Sequence, residues 1–140
     1  MFYTLKDLNF KKFFLKTKKK VAFNPNLFFI ELKKFYENRN KKLLDNFEKK
    51  NNGLELANTR SNLLDQIISK CYNYYFLELK KNSKNFRCSI VATGGFGRKE
   101  LAPYSDIDIL FLHSLKSKKN LEDFVKLVLH TLWNLGLKVG

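Results

Sequence analysis

Val91-Ala92-Thr93-Gly94-Gly95-Phe96-Gly97-Arg98-Lys99-Glu100-Leu101-Ala102-Pro103-Tyr104-Ser105-Asp106-Ile107-Asp108-Ile109-Leu110 is the stretch on which the fold turns, because the apolar spacing changes its period there. The run Cys88-Ser89-Ile90-Val91-Ala92 is short and β-prone and stops at Thr93-Gly94-Gly95, so a strand is predicted to end in a glycine turn. After Gly97, Arg98 to Ala102 reads as a short helical turn terminated by Pro103, whose ring cannot continue a helical ladder. Asp106 to Leu112 then reads as a second strand. Ile107, Ile109 and Phe111 alternate onto one face and the aspartates take the other.

The same stretch holds the residues that point to chemistry. Paired glycines directly after a strand let backbone amides approach an anion closely, so Gly94 and Gly95 are read as a triphosphate cradle. Asp106 and Asp108, two apart on a strand, send both carboxylates from one face, where they can grip a hard divalent cation such as magnesium. Only ten residues separate Gly95 from Asp106, enough for one short helix and a return, which brings cradle and carboxylates together. Arg98 lies in the turn, where its guanidinium can hold a phosphate bidentately or simply pair with Glu100. Each feature alone has a bland explanation, a plain turn or a solvated acid pair. Two carboxylates flanked by Ile107 and Ile109 are harder to dismiss, because burying them without a cation is costly.

Working outward, Asn26 to about Asn51 carries apolar residues at helical spacing, including Phe28, Leu32, Phe35, Leu43 and Phe47, with Asn26 as the expected cap after Pro25. Asn51-Asn52-Gly53 interrupts that pattern. A second helical pattern runs through Leu63, Leu64, Ile67, Ile68, Cys71 and Tyr75 until polar Lys80 to Asn85 breaks it. Downstream of the strands, Leu121, Phe124, Val125, Val128, Leu129, Leu132 and Trp133 form one stripe of a helix. Asn120 is expected to cap that helix, with Glu122 and Asp123 in its opening turn, and Gly136 to end it. Trp133 is expected in the core, and Leu137 to Val139 begins a further strand. His113 reads as a polar strand end rather than a site residue.

The 140 residues suit one domain, and a hydrophobic content of 44% with 14 phenylalanines excludes the disordered class. The formal charge of +14 would suggest a nucleic-acid partner, but only Arg39, Arg60, Arg87 and Arg98 among the 27 basic residues are arginine. Abundant Lys, Asn, Phe and Ile together are what an A+T-rich genome produces by codon drift, so nucleic acid is not the expected partner. Cys71 and Cys88 form no metal-binding pair and are expected as buried thiols. No signal peptide or membrane span is legible, and the expected location is the cytoplasm. The lysine triplet Lys18-Lys19-Lys20 is read as part of a solvated lead.

Taken together, these residues resemble the DNA polymerase β-type nucleotidyltransferase signature, a glycine pair, a short spacer and an Asp-hydrophobic-Asp strand. More narrowly, Gly94-Gly95-Phe96-Gly97-Arg98-Lys99-Glu100-Leu101, Pro103 to Leu112, Leu132-Trp133 and Gly136 to Gly140 resemble the bacterial protein-PII uridylyltransferase/uridylyl-removing enzymes. Arg60 and Asp65 also suit that family. The resemblance covers about residues 88 to 140, with a weaker stretch from Leu54 to Tyr75.

It implies an α+β fold, with N-terminal helices followed by a polymerase β-like core of a small mixed sheet and flanking helices. The expected divisions are a basic lead at 1–25, a helical region at 26–84 and a core at 85–140, truncated at its C-terminal end. It further implies transfer of UMP from UTP to a tyrosine of the PII signalling protein. Asp106 and Asp108 would hold magnesium, Gly94 and Gly95 the triphosphate, and Ser105 would orient the first carboxylate. The family's hydrolytic HD domain and ACT repeats have no counterpart in these residues, and full activity of the 140 residues alone is not expected. Two rivals stand beside this reading: a glutamine synthetase adenylyltransferase-like enzyme, against which Gly94 to Arg98 argues, and a basic nucleic-acid-binding or catalytically inactive module.

Overall fold

The computed structural model describes residues 24–82, 86–114 and 118–140. All but the last two residues of the basic lead, its lysine triplet included, lie outside the described residues, as does the break at 83–85. Helix α1 spans Pro25–Lys50. Its cap is Asn24, whose side chain accepts from the Leu27 amide at 3.0 Å, and not Asn26 as the sequence suggested. Pro25 explains the shift, since a residue with no N–H and a preset φ belongs in the first helical turn and leaves the cap to its predecessor. The helix ends at Asn51, left-handed at φ 49, whose amide donates to the Phe47 carbonyl at 2.7 Å.

Helix α2, Gly53–Asn82, folds back along α1. Asn52 accepts from the Glu55 amide at 3.1 Å, and Lys50 reaches Glu55 across the turn at 2.8 Å. The two helices are clamped at their open end. Phe28 stacks on Tyr74 with centroids 4.0 Å apart and meets Tyr75 edge-on at 5.5 Å, while the Asn24 amide donates to the Tyr74 hydroxyl at 3.0 Å.

Strand β1, Cys88–Ala92, pairs antiparallel with β2, Ile109–His113, in a register running from Cys88 opposite His113 to Ala92 opposite Ile109. The expected strand from Asp106 is therefore split, a single bridge at Ile107 preceding β2. That bridge is parallel, to Val139. The Ile107 amide donates to the Lys138 carbonyl at 2.8 Å, and the Gly140 amide donates to the Ile107 carbonyl at 3.2 Å. A small mixed arrangement results, as expected for an α+β nucleotidyltransferase-like core.

Between the strands lies the one-turn helix α3, Gly94–Gly97. The helical turn thus sits on the glycines themselves and not at Arg98 to Ala102. It stops where Lys99 takes φ 62, and the chain from there to Pro103 is irregular.

Helix α4, Lys118–Asn134, begins earlier than expected, so Asn120 lies inside it and Glu122 and Asp123 fall beyond its first turn. Its end agrees with the reading at Gly136, whose amide donates to the Trp133 carbonyl at 2.8 Å. Trp133 is 49% exposed and not core. The buried face runs through Phe124, Val128, Thr131 and Leu132, and Trp133 sits about 100° past Leu132, edge-on to His130.

Phe124 is the hub of the core, meeting Tyr72, Phe76, Phe86 and Phe111 in edge-to-face and related contacts. Thr131 donates to the Leu127 carbonyl at 2.7 Å, which leaves its oxygen to accept from the Tyr75 hydroxyl at 2.6 Å. This bond ties α2 to α4. Both cysteines are free and buried, and burial pushes the Cys71 thiol up. Among the described residues no helix is long and apolar enough to cross a membrane.

Candidate functional site

The site is built where β1 ends and β2 approaches. One bond past the strand, the Thr93 amide donates to the Asp108 carbonyl at 2.9 Å, so the ladder carries Asp108 alongside the glycine turn. The turn is closed from within. Gly97 donates to Thr93 at 2.7 Å, Arg98 to Gly94 at 3.3 Å, Lys99 to Phe96 at 3.0 Å and Glu100 to Gly95 at 2.8 Å, while the buried Phe96 ring anchors it to the core. Among the described residues, no backbone carbonyl accepts from the amides of Gly94 or Gly95. With only four residues, α3 adds little dipole of its own, and those free amides are what the turn offers an anion.

Gly94 is required twice over. It takes φ +54, and a side chain there would run into the Asp108 carboxylate, with Cγ 3.2 Å from the place of a Cβ. Asp108 thus lies directly against the proposed cradle. Its other oxygen is 3.3 Å from the Cβ position of Gly140, so the carboxylate stands between Gly94 and Gly140. Gly97 was missed by the sequence reading as a site residue. A Cβ on it would lie 2.8 Å from the Ala92 carbonyl oxygen, so α3 can fold back on β1 only with glycine there. The signal was the third glycine in four residues. For Gly140 there was none, because the contact joins segments that only the parallel bridge brings together.

Asp106 is exposed and Asp108 half-buried, on either side of Ile107, which is fully buried. Period two on a strand segment sends both carboxylates away from the apolar side that Ile107 fills. Ser105 is half-buried, its amide donating to the Ala102 carbonyl at 3.2 Å. Arg98 takes up Glu100 at 3.4 Å, an exposed pair that is easily exchanged for another anion. The loop carrying these groups holds two non-glycine residues at positive φ, Lys99 at 62 and Tyr104 at 67, the latter 92% exposed. Such conformations cost about 1–2 kcal/mol each and concentrate where a surrounding structure imposes them. His113 is exposed at the far end of β2, beside the Ser114 carbonyl, and takes no part.

Among the described residues there is no group of three or more His, Cys, Asp or Glu side chains that would hold a metal by itself. The two aspartates are nonetheless a fitting donor set for a hard divalent cation, whose remaining positions phosphate oxygens and waters can fill.

Residues 75–139 match the family model described as nucleotidyltransferase domain. Proteins named bifunctional uridylyltransferase/uridylyl-removing enzyme are similar to the chain. That of Phenylobacterium zucineum (strain HLK1) is 35% identical over 91 residues, 63% of this chain and 10% of the relative. That of Rhodospirillum rubrum is 35% identical over 96 residues, 66% of this chain and 10% of the relative. In Azospirillum brasilense the identity is 61% over 51 residues, 36% of this chain and 6% of the relative. The match thus spans about a tenth of the length of such relatives. No solved structure matches significantly.

Proposed function

We propose, from the match of residues 75–139 to the nucleotidyltransferase domain family, that they form part of an enzyme centre that transfers UMP from UTP to a protein hydroxyl, a tyrosine of the PII signalling protein, in the cytoplasm. The choice of a uridylyl donor, UTP, follows the names of the relatives, and PII as acceptor follows the family resemblance alone. The observation that carries the reading of the site is the direct apposition of the Asp108 carboxylate and the Gly94 turn.

In this mechanism the amides of Gly94 and Gly95 hold the triphosphate, and Arg98 exchanges Glu100 for a phosphate oxygen. Asp106 and Asp108 would hold magnesium, with Ser105 orienting the first carboxylate. When bound, magnesium would supply positive charge that favours an in-line displacement at the α-phosphorus. The acceptor oxygen bonds to the α-phosphorus and the bond to the β-phosphate bridging oxygen breaks. Pyrophosphate leaves, and the hydroxyl proton passes to solvent. The chain's own contribution is alignment: the β1–β2 ladder, continued by the bond from the Thr93 amide to the Asp108 carbonyl, holds the Asp108 carboxylate beside the Gly94 turn, where a triphosphate would meet both.

The test is transfer of label from α-32P UTP to purified PII, together with magnesium-dependent UTP binding. Both are expected to disappear in the double variant Asp106→Asn, Asp108→Asn. UTP binding indifferent to that double substitution sinks the proposal. Binding of nucleic acid that survives it and weakens steeply with salt would support the basic-module reading in its place.

A further inference from the structure

We propose that Ser61, on the helical hairpin and outside the matched stretch 75–139, is a positioning residue for the nucleotide cradle, a role that rests on reading Gly94 and Gly95 as that cradle. Ser61 is 1% exposed on an otherwise apolar stripe of α2. Its hydroxyl is used from both sides, donating to the Ala57 carbonyl at 2.9 Å and accepting from the Leu101 amide at 3.0 Å. Leu101 is itself 1% exposed, so water cannot replace that acceptor. The adjoining residue, Glu100, donates its amide to the Gly95 carbonyl at 2.8 Å, and its own carbonyl oxygen is 3.5 Å from the Cβ position of Gly95. One hydroxyl on α2 therefore holds the strap that holds the carbonyl of the second cradle glycine. The contact links residues 40 apart in sequence. Through it, the helical hairpin braces the turn from which the Gly94 and Gly95 amides project.

The isosteric pair Ser61→Thr and Ser61→Val separates the hydroxyl from bulk, with Ser61→Ala as the smaller control. The readouts are the affinity for magnesium-UTP, amide hydrogen exchange at Leu101, and a thermal melt to confirm folding. The threonine variant is expected to bind as the wild type does, and the valine and alanine variants to bind about tenfold more weakly with faster exchange at Leu101. Equal affinity in the folded threonine and valine variants overturns the proposal. A variant-free arm guards against misfolding: magnesium-UTP should slow Leu101 exchange in the unaltered chain, and unchanged exchange at saturation also overturns it. If the unaltered chain has no magnesium-dependent UTP affinity, the cradle reading itself falls. Failure of the Ser61 link alone leaves that affinity, and its loss in Asp108→Asn, intact.

Discussion

The aromatic layer between α2 and α4 and the glycine turn between β1 and β2 are built on opposite terms. Phe124, Phe86, Ile67 and Leu64 are almost completely removed from water, and Tyr75 and Thr131 satisfy each other inside that layer. At the turn, Gly94 and Asp106 are exposed, two amides stand without a backbone acceptor among the described residues, and two non-glycine residues hold positive φ. The first region gains free energy by closing every contact. The second keeps polar groups open, and it can do so because the first is closed beneath it. Stability and the proposed chemistry are thereby assigned to different regions, and substitutions in the two should report different quantities.

Phe124→Ala should be the most damaging change to stability. Removing the ring that Tyr72, Phe76, Phe86 and Phe111 all touch is expected to cost about 3–5 kcal/mol, read as a large fall in the denaturant midpoint. A loss under about 1 kcal/mol would mean that the layer is not the foundation described. Asp108→Asn should do the reverse, lowering magnesium-dependent nucleotide affinity by about a hundredfold while the melting temperature stays near that of the wild type. A parallel collapse of folding would show that the carboxylate serves structure instead.

Gly94→Ala falls between the two. The strained φ costs about 1–2 kcal/mol, and the new methyl displaces the Asp108 carboxylate, so nucleotide affinity should drop by about tenfold with a modest loss of stability. Wild-type affinity in this variant would separate the turn from the carboxylate.

Tyr75→Phe is the mildest, costing about 1 kcal/mol for the bond to Thr131. It carries a pH signature as well. Burial pushes the Tyr75 hydroxyl from 10.0 up to about 12, so the unfolded chain ionises first. Its contribution to stability is therefore complete below pH 10.0 and lost as pH rises towards about 12. Burial raises Tyr72, Tyr74 and Cys88 in the same direction, so alkaline melts of the phenylalanine variant should be flatter, not flat.

The elements themselves were legible in residues close together in the chain. Periodicity places α1, α2, β1, β2 and α4, and the glycine run with the Asp-Ile-Asp alternation marks the candidate site, because strand and helix periods are local properties. The local misreadings have local causes too. Pro25 moved the cap to Asn24, and the short helix formed on Gly94 to Gly97 because Gly97 can lie against the Ala92 carbonyl. Trp133 shares a helix with core residues and still faces water, since one step of about 100° past Leu132 leaves the packed face.

What only the folded chain decided is which distant groups meet. The Asp108 carboxylate lies between Gly94 and Gly140, and Ser61 reaches Leu101 across 40 residues. Spacing along a chain specifies which face a side chain leaves by. The neighbour it finds there depends on how helices and strands pack, a property of the whole core that no local pattern contains.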